Sequence, residues 1–262
     1  MLPPLCGRLT LDRPPEHPLQ NLLRKLQLHH RLGAEDRQAV LDLPFKRRLL
    51  EAQSYLVREG DVPDRCAVIV SGYAFRHKLT GDGSRQILAI HIPGEAVDFQ
   101  NMFLDEADHN VQMLTRGEVA EIPRHSLEEL ALARTEVGRA ILITTLVEAS
   151  IFREWTLNIG RRDARSRIAH LLCEFAYRLT AQGLSPGSDY ELPMTQEQLA
   201  DATGLTAVHV NRVLKGLVAD GLIERDRRVI RFPDFKRMRD VGDFNARYLH
   251  TLPPQDGHLH LG

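Results

Sequence analysis

Cysteine is scarce in this 262-residue sequence, which has only Cys6, Cys66 and Cys173. No two of them have the two-residue spacing of a zinc or redox motif, and an odd number of distant thiols does not make a disulfide framework. An all-cysteine iron–sulfur site needs four thiolates. We therefore expect three unrelated thiols and no metal site.

Long apolar runs are also missing, because no stretch approaches the roughly 18 residues of a membrane span. The N-terminus, Met1 to Pro4, has neither the basic segment nor the apolar stretch of a secretory signal. The sequence contains no phosphate-binding glycine loop and no paired-histidine metal motif. We expect a cytoplasmic protein that does not contact membranes and is not an enzyme. The net charge of −1 neither supports nor excludes a nucleic-acid partner.

The N-terminal part predicts two short helices followed by a β-rich unit. Residues 1–18 contain five prolines and predict a flexible arm, and leucine periodicity predicts helices near Leu19–His30 and Glu35–Leu43. Up to residue 126, strand-length runs are then separated by turn signals such as Asp82-Gly83. This pattern predicts an antiparallel, jelly-roll-like β-roll over residues 19–126. The predicted strands are Ala67–Val70, Tyr73–Leu79, Gln86–Ile92, Val111–Thr115 and Val119–Ile122.

A long helix follows, from Leu127 to about Asn158, and it is apolar almost all round. Such a helix must be covered on both sides. The simplest cover for its second side is the same helix of another subunit, which predicts a homodimer joined by a coiled coil. The alternative is a central helix buried in one larger core. The residues expected at the dimer contact are Val137, Ile141, Leu142, Ile151, Phe152 and Trp155. A hinge is expected near Gly160–Arg162, which closes this segment of residues 127–162.

Residues 163–240 predict a winged helix-turn-helix. Asp163 resembles an N-cap, and Thr195 with Gln198 three residues later is a capping-box start. Thr203-Gly204-Leu205 forms the turn, and Thr206 caps a second helix. The residues expected to face inward on that helix are Val210, Val213, Leu214, Leu217 and Val218. Residues 241–262 read as a loose tail.

The outward face of the second helix carries groups that can read DNA. Arg212 can bond a guanine edge, Lys215 suits a phosphate, and the basic hairpin Arg225–Phe232 suits a wing on the backbone. Double-stranded DNA is therefore the predicted partner. The predicted DNA-contacting residues are Thr195, Gln196, Thr206, Ala207, Val208, His209, Asn211, Arg212, Lys215, Arg227 and Arg228.

This order of elements resembles the CRP/FNR superfamily of bacterial transcription regulators over about residues 20–240. The resemblance implies an α+β fold with an N-terminal antiparallel β-roll, a long dimerisation helix and a C-terminal winged helix-turn-helix. It also implies a homodimer on a palindromic site that works with RNA polymerase. Ala207 and Val208 stand where well-known members have an arginine and a glutamate, so the operator is expected to differ from theirs.

The sensor segment departs from the nucleotide-binding pattern that the resemblance implies. Phe99 stands where the family's ribose-binding glutamate would be, and Asp105, Glu106 and Asp108 would repel a phosphate. We expect no bound cyclic nucleotide and no cofactor. One alternative is a regulator that responds to haem or another small molecule, with His77, His91 and His109 as weak axial-ligand candidates. Another is a signalling module whose C-terminal domain binds protein instead of DNA.

Overall fold

The computed structural model describes residues 17–185 and 189–253. Most of the predicted arm, residues 1–16, lies outside the described residues. So do Cys6, the Pro186-Gly187 turn and residues 254–262.

Two four-stranded sheets form the N-terminal roll, and every pairing among the described strands is antiparallel. One sheet has the order β1-β8-β3-β6 and the other has the order β2-β7-β4-β5. The predicted roll and its five strands are confirmed. The strands are β1 (Lys46–Leu50), β2 (Tyr55–Val57), β3 (Arg65–Ile69), β4 (Ala74–Leu79), β5 (Arg85–His91), β6 (Ala96–Val97), β7 (Asn110–Met113) and β8 (Gly117–Pro123).

Strand β1 escaped the sequence analysis because its exposed face is basic. Arg47 and Arg48 pair with Glu118 and Glu121 on the neighbouring β8. Cross-strand ion pairs of this kind stabilise a solvent-facing strand. They leave no apolar alternation for a sequence pattern to detect.

Two short helices, α1 (Gln20–Gln27) and α2 (Ala34–Leu41), precede the roll. The leucine stripe of α1 is fully buried, as the periodicity predicted, and packs in one core cluster with β3 and β8. The helices therefore close one end of the roll.

The predicted single helix after the roll is wrong, because the chain forms α3 (Arg124–Ala133) and α4 (Thr135–Arg161). The break is at Arg134, which is extended, with φ −118° and ψ 92°. Gly138 permits the close packing of α4 on α3, since a Cβ there would lie 2.4 Å from the Ala131 carbonyl oxygen. Arg134 also pairs with Glu35 on α2 at 3.1 Å. The break thus coincides with contacts to α2 and between α3 and α4, and no proline marks it.

The C-terminal domain contains a helical core and a small antiparallel sheet of order β10-β11-β9. Its elements are α5 (Ala164–Ala181), β9 (Asp189–Glu191), α6 (Gln196–Thr203), α7 (Ala207–Ala219), β10 (Glu224–Asp226), β11 (Val229–Arg231) and α8 (Phe235–Gly242). Asp163 caps α5 as predicted, because its carboxylate accepts the Ser166 amide at 2.8 Å.

The prediction of a loose tail is wrong for residues 241–253. Phe244 and Leu249 are buried, and a 3-10 turn forms over Ala246–Leu249. The Leu252 amide donates to the Leu28 carbonyl at 2.8 Å, so the segment reaches back to the N-terminal helices. Its apolar side chains hold it in place despite the proline and glycine composition that follows.

Candidate nucleic-acid interface

Helices α6 and α7 are set at their angle by caps and a tight turn. The Thr195 hydroxyl accepts the Gln198 amide at 3.2 Å, and the Gln198 side chain accepts the Thr195 amide at 2.9 Å. This confirms the capping box. Gly204 has φ 64°, a conformation that glycine adopts without steric cost. Thr206 then caps α7 by accepting the His209 amide at 3.3 Å.

The inner face of α7 is buried against the domain core, and Val210, Leu214 and Leu217 are its fully buried residues. Val213 is half-buried. Val218 was expected to face inward, but 44% of it is exposed, so that assignment is wrong. It lies one residue beyond the buried stripe, near the end of the helix.

The outer face of α7 is open to solvent over its whole length. Val208 is 82% exposed, and Arg212 and Lys215 are exposed beside it. Ala207, His209 and Asn211 are half-buried along the edges of this face. The Asn211 amide donates to the Gln196 side chain at 3.1 Å, which joins two predicted contact residues across the two helices. Reading bases in a major groove requires this combination of an exposed helix and polar groups near its start.

The predicted wing is a β-hairpin of β10 and β11. Its turn holds Arg227, with φ 51°, and Arg228, and both are exposed. Arg231 follows on β11 but pairs with Asp189 at 2.8 Å, so its charge is partly neutralised. The exposed arginines of the wing that have no ion pair among the described residues are therefore the tip pair and Arg225 on β10.

A buried ionic cluster fills the interior of the roll beneath α4. Arg76 on β4 bonds Asp98, and it lies 3.7 Å from Glu148 of α4. His109 donates to the same Asp98 at 2.9 Å and contacts Asp108 at 2.6 Å. Burial opposes ionisation of Asp98, but Arg76 and His109 outweigh it and lower the pKa of Asp98 to about 2. Sequence reasoning missed this cluster, since its members are distant along the chain.

The three candidate haem ligands are all buried in this region, but they do not converge as a ligand set. Both ring nitrogens of His109 are engaged by carboxylates. Burial opposes protonation of His109, yet its carboxylate partners raise its pKa. Burial, and then the Arg85 charge, lower the pKa of His77 to about 4. His91 lies 3.6 Å from Glu95.

A second buried cluster joins the roll to the C-terminal domain. Glu95, in the loop after β5, accepts bonds from Arg178 on α5 at 2.8 Å and from Lys25 on α1 at 2.7 Å. Burial opposes ionisation of Glu95, but these two cations lower its pKa well below the ordinary value. A third contact links Arg85 on β5 to Asp201 on α6 at 2.8 Å. The C-terminal domain is thus attached to the β-roll through ionic groups.

The predicted hinge is a short connection between α4 and α5. Arg162 is extended, with ψ 148°, and its guanidinium bonds Glu154 at 2.7 Å and Asp243 at 3.0 Å. The two helices are thus separate elements at this position, and the hinge itself stays a prediction. The side chain of the connecting residue ties the two helices to the C-terminal segment.

Helix α4 exposes a different set of apolar residues from the set that was predicted at the dimer contact. Val137 and Ile141 belong to the core beneath α1, and Ile151 and Trp155 to the core shared with the C-terminal domain. These four are covered by their own chain, which corrects their assignment to a partner-facing surface. Phe152 is half-buried. Leu142 is exposed, together with two residues that were not predicted, Leu146 and Leu157.

Metal-binding chemistry has little support in the described residues. Cys66 and Cys173 are both buried, and burial raises the pKa of each thiol. No group of three or more potential ligands is brought together in the part of the chain that the structure describes.

Within the same residues, no helix is both long enough and apolar enough to cross a membrane. Taken together, the geometry defines a winged helix-turn-helix protein with an N-terminal β-roll domain.

Comparison with known proteins gives the family. Residues 47–134 match the family of cyclic nucleotide-binding domains, and residues 166–241 match the family of Crp-like helix-turn-helix domains. The transcriptional activator protein FnrL of Cereibacter sphaeroides is 33% identical over 202 residues, which cover 75% of this chain and 80% of the relative. The nitrogen fixation regulation protein FixK of Rhizobium meliloti is 33% identical over 177 residues, covering 66% and 75%.

Among solved structures, FixK2 from Bradyrhizobium japonicum is similar, with a TM-score of 0.70 and 25% identity over 76% of this chain and 98% of that one. The chain belongs to the CRP/FNR superfamily, and the expected fold is confirmed. It is a sequence-specific DNA-binding regulator of transcription.

Proposed function

We propose that the protein is a cytoplasmic homodimer that reads a palindromic DNA site, works with RNA polymerase and binds no cyclic nucleotide. The observation that carries the DNA-reading part is the open outer face of α7, with Arg212 and Lys215 unpaired by any carboxylate among the described residues. Arg212 reads a base edge, and Lys215 holds a phosphate. Thr195, Gln196, Thr206, His209, Asn211 and the wing arginines 227 and 228 complete the contact surface. Ala207 and Val208 supply apolar contact to bases.

The apolar stripe on α4 supports the dimer. Leu142, Leu146 and Leu157 lie within about 60° of one another around the helix, and all three are exposed. Phe152 flanks the stripe as a half-buried residue. Two such stripes packed about a two-fold axis bury one another. The two α7 helices of the dimer then read half-sites about one helical turn apart.

The groups that fill the roll support the proposal that it binds no cyclic nucleotide. Arg76 and His109 both bond Asp98, so these charges already have partners within the roll, and of their buried side-chain atoms only the Arg76 Nε lacks a hydrogen-bond partner among the described residues. The cavity bordered by Arg76, His91 and Glu148 measures about 20 Å³, close to the space of one water molecule. A nucleotide does not fit without displacing this cluster.

Selection of binding sites from random DNA duplexes tests the proposal. We expect a palindromic consensus, and we expect Arg212→Ala to weaken binding by about 1–3 kcal/mol and relax one base position in each half-site. Arg37→Ala, which removes an exposed arginine of α2, is the matched control and should change neither property. Sequence-independent binding that is fully sensitive to salt would contradict the proposal.

The proposed dimer and the proposed lack of cyclic-nucleotide binding have separate tests. Sedimentation of Leu142→Glu/Leu146→Glu should show monomers, while Leu132→Glu, at an exposed leucine of α3, should leave the dimer intact. A wild-type monomer at micromolar concentration would refute the dimer. Titration calorimetry with cyclic AMP should give no heat of binding, and a saturable signal would refute the nucleotide part alone.

A further inference from the structure

A cleft of about 360 Å³ lies in the C-terminal domain between α5, α8 and the 3-10 turn Ala246–Leu249. Pockets for small organic ligands measure roughly 300–1,000 Å³, so this cleft has room for one ring compound. The Crp-like domain match ends at residue 241, whereas one wall of the cleft is built by residues 244–251. The cleft therefore depends on a segment outside the family's shared domain.

Three aromatic rings line the cleft, those of Tyr177, Phe235 and Phe244. The rings of Tyr177 and Phe244 are 6.0 Å apart and inclined by 57°, so they meet at an angle and do not stack flat on each other. Aromatic pairs favour inclined arrangements at such distances. A planar ring in the cleft would find apolar faces and edges to pack against.

The polar lining is basic. Arg239, Arg247 and His250 contribute to it, and none of the described residues that line the cleft is acidic. Neither arginine has a carboxylate within ion-pair distance among the described residues, in contrast to Arg231, which pairs with Asp189. A guanidinium binds a carboxylate or phosphate through two parallel hydrogen bonds. The cleft thus offers cations without counter-ions beside aromatic walls.

The wall segment is held at its far end before any ligand arrives. The Tyr177 hydroxyl bonds the Thr251 hydroxyl at 2.8 Å, and His29, just after α1, contacts the His250 carbonyl at 3.2 Å. On its other side, Tyr248 donates to Glu174 of α5 at 2.7 Å. Because these bonds order the segment already, a ligand loses little free energy in organising it.

We propose that this cleft binds a small aromatic anion, a ring that bears a carboxylate or a phosphate. The ring packs between Tyr177, Phe235 and Phe244, and the anionic group bonds Arg239 and Arg247. The site is separate from the roll interior and from the outer face of α7. It therefore gives the C-terminal domain a ligand of its own.

Fluorine NMR with 4-fluorobenzoate, and calorimetry with phenyl phosphate, test the site on the full chain. Neutral 4-fluorobenzamide and non-aromatic cyclohexanecarboxylate are the matched probes for the charge and for the ring. The variants are Arg239→Gln, Arg247→Gln and the double variant. Lys236→Gln is the control, because it removes a positive charge from the same helix α8 at a residue that does not line the cleft.

We expect saturable binding of at least one of the two aromatic anions, and weaker binding of both matched probes. Each arginine variant should weaken the binding at least about tenfold, since a charged hydrogen-bond partner is lost, and Lys236→Gln should not. Both arginines are exposed, so the variants should keep the wild-type unfolding midpoint. Equal affinity in the wild type and the double variant, equal affinity for the neutral amide, or no binding of either anion at millimolar concentration would overturn the proposal.

Discussion

The roll interior and the DNA-facing surface use the same residue types in opposite ways. In the roll, Arg76 and His109 are buried, and both bond Asp98. On the surface, Arg212 and the wing-tip pair Arg227 and Arg228 are exposed, with no ion pair among the described residues. Buried charges must be paired by the chain itself, whereas exposed charges stay available for a phosphate. Burial or exposure of a cation therefore separates the cations that stabilise the fold from those that can bind DNA.

Removing a cation from the roll gives the largest expected effect on stability. Arg76→Met leaves Asp98 buried beside only His109, and loss of one partner of a buried pair costs about 3–5 kcal/mol. Urea unfolding followed by circular dichroism measures this loss. Arg48→Met is the control, because Arg48 forms an exposed pair with Glu121, and such pairs contribute about 0–1 kcal/mol. Equal losses of unfolding free energy in Arg76→Met and Arg48→Met would show that buried and exposed cations contribute alike to stability.

Acid should weaken the roll through the same carboxylate. The pKa of Asp98 is lowered from 3.8 to about 2, so its ionised form stabilises the fold above the unfolded-state value. That stability is lost as the pH falls from about 4 to about 2, and it is on the order of 2 kcal/mol. The free energy of unfolding should therefore fall less steeply with acid in Asp98→Asn than in the wild type.

The control for this pH effect is an exposed carboxylate on the DNA-facing side. Asp226 is exposed on β10 of the wing. Asp226→Asn should follow the wild-type acid dependence between about pH 4 and 2. If Asp98→Asn and the wild type fell in parallel, the ionic cluster would not be the acid-sensitive element of the roll.

Local signals in the sequence were enough to predict the helix-turn-helix formed by α6 and α7. The Thr195–Gln198 capping box, Gly204 and the Thr206 cap each act within a few residues, so the pattern and the structure agree. The break at Arg134 was not predictable in this way, because the contacts made there, such as the ion pair with Glu35 on α2, are distant along the chain. The ordered segment after residue 240 was missed because a few buried side chains, such as Phe244, outweigh its composition.

The ionic clusters were not predictable for a related reason. Arg76 lies on β4, Asp98 follows β6, and Glu148 joins them from α4. Nothing in their spacing marks them as neighbours, and each alone resembles an ordinary surface residue. For α4, the apolar content was evident, but the division into a covered face and the exposed Leu142 and Leu146 depends on where the roll lies.

Removing cations from the wing should affect binding without affecting stability. Arg227→Ala/Arg228→Ala loses up to two phosphate contacts, so the slope of log affinity against log salt should become shallower by about 0.9 for each contact. Binding titrations at several salt concentrations measure the slope. Arg231→Ala, in the same hairpin but with its charge paired to Asp189, should leave the slope nearly unchanged. If the salt slope changed equally in the double variant and in Arg231→Ala, an ion pair with a carboxylate would not decide which arginines contact DNA.

The smallest expected effect concerns two hydroxyls, each of which serves as a cap and as a predicted DNA contact. Thr195 takes part in two reciprocal bonds and Thr206 accepts only one, at 3.3 Å. Replacing a capping threonine by alanine costs about 0.5–2 kcal/mol. We expect Thr195→Ala to lose more stability than Thr206→Ala, as measured by urea unfolding. Thr206→Ser, which keeps the hydroxyl, should match the wild type.

The DNA affinity of Thr206→Ala decides between the two roles of that hydroxyl. If the hydroxyl only caps α7, the affinity should fall by no more than the stability does, because the helix start is disturbed and no contact is lost. If it also bonds a phosphate, the affinity should fall further and the salt slope should stay the same, since a neutral donor releases no counter-ion. A steeper or shallower slope in this variant would mean that α7 itself has moved on the DNA. The Thr206 hydroxyl would then be a group that stabilises the fold and not one that binds DNA.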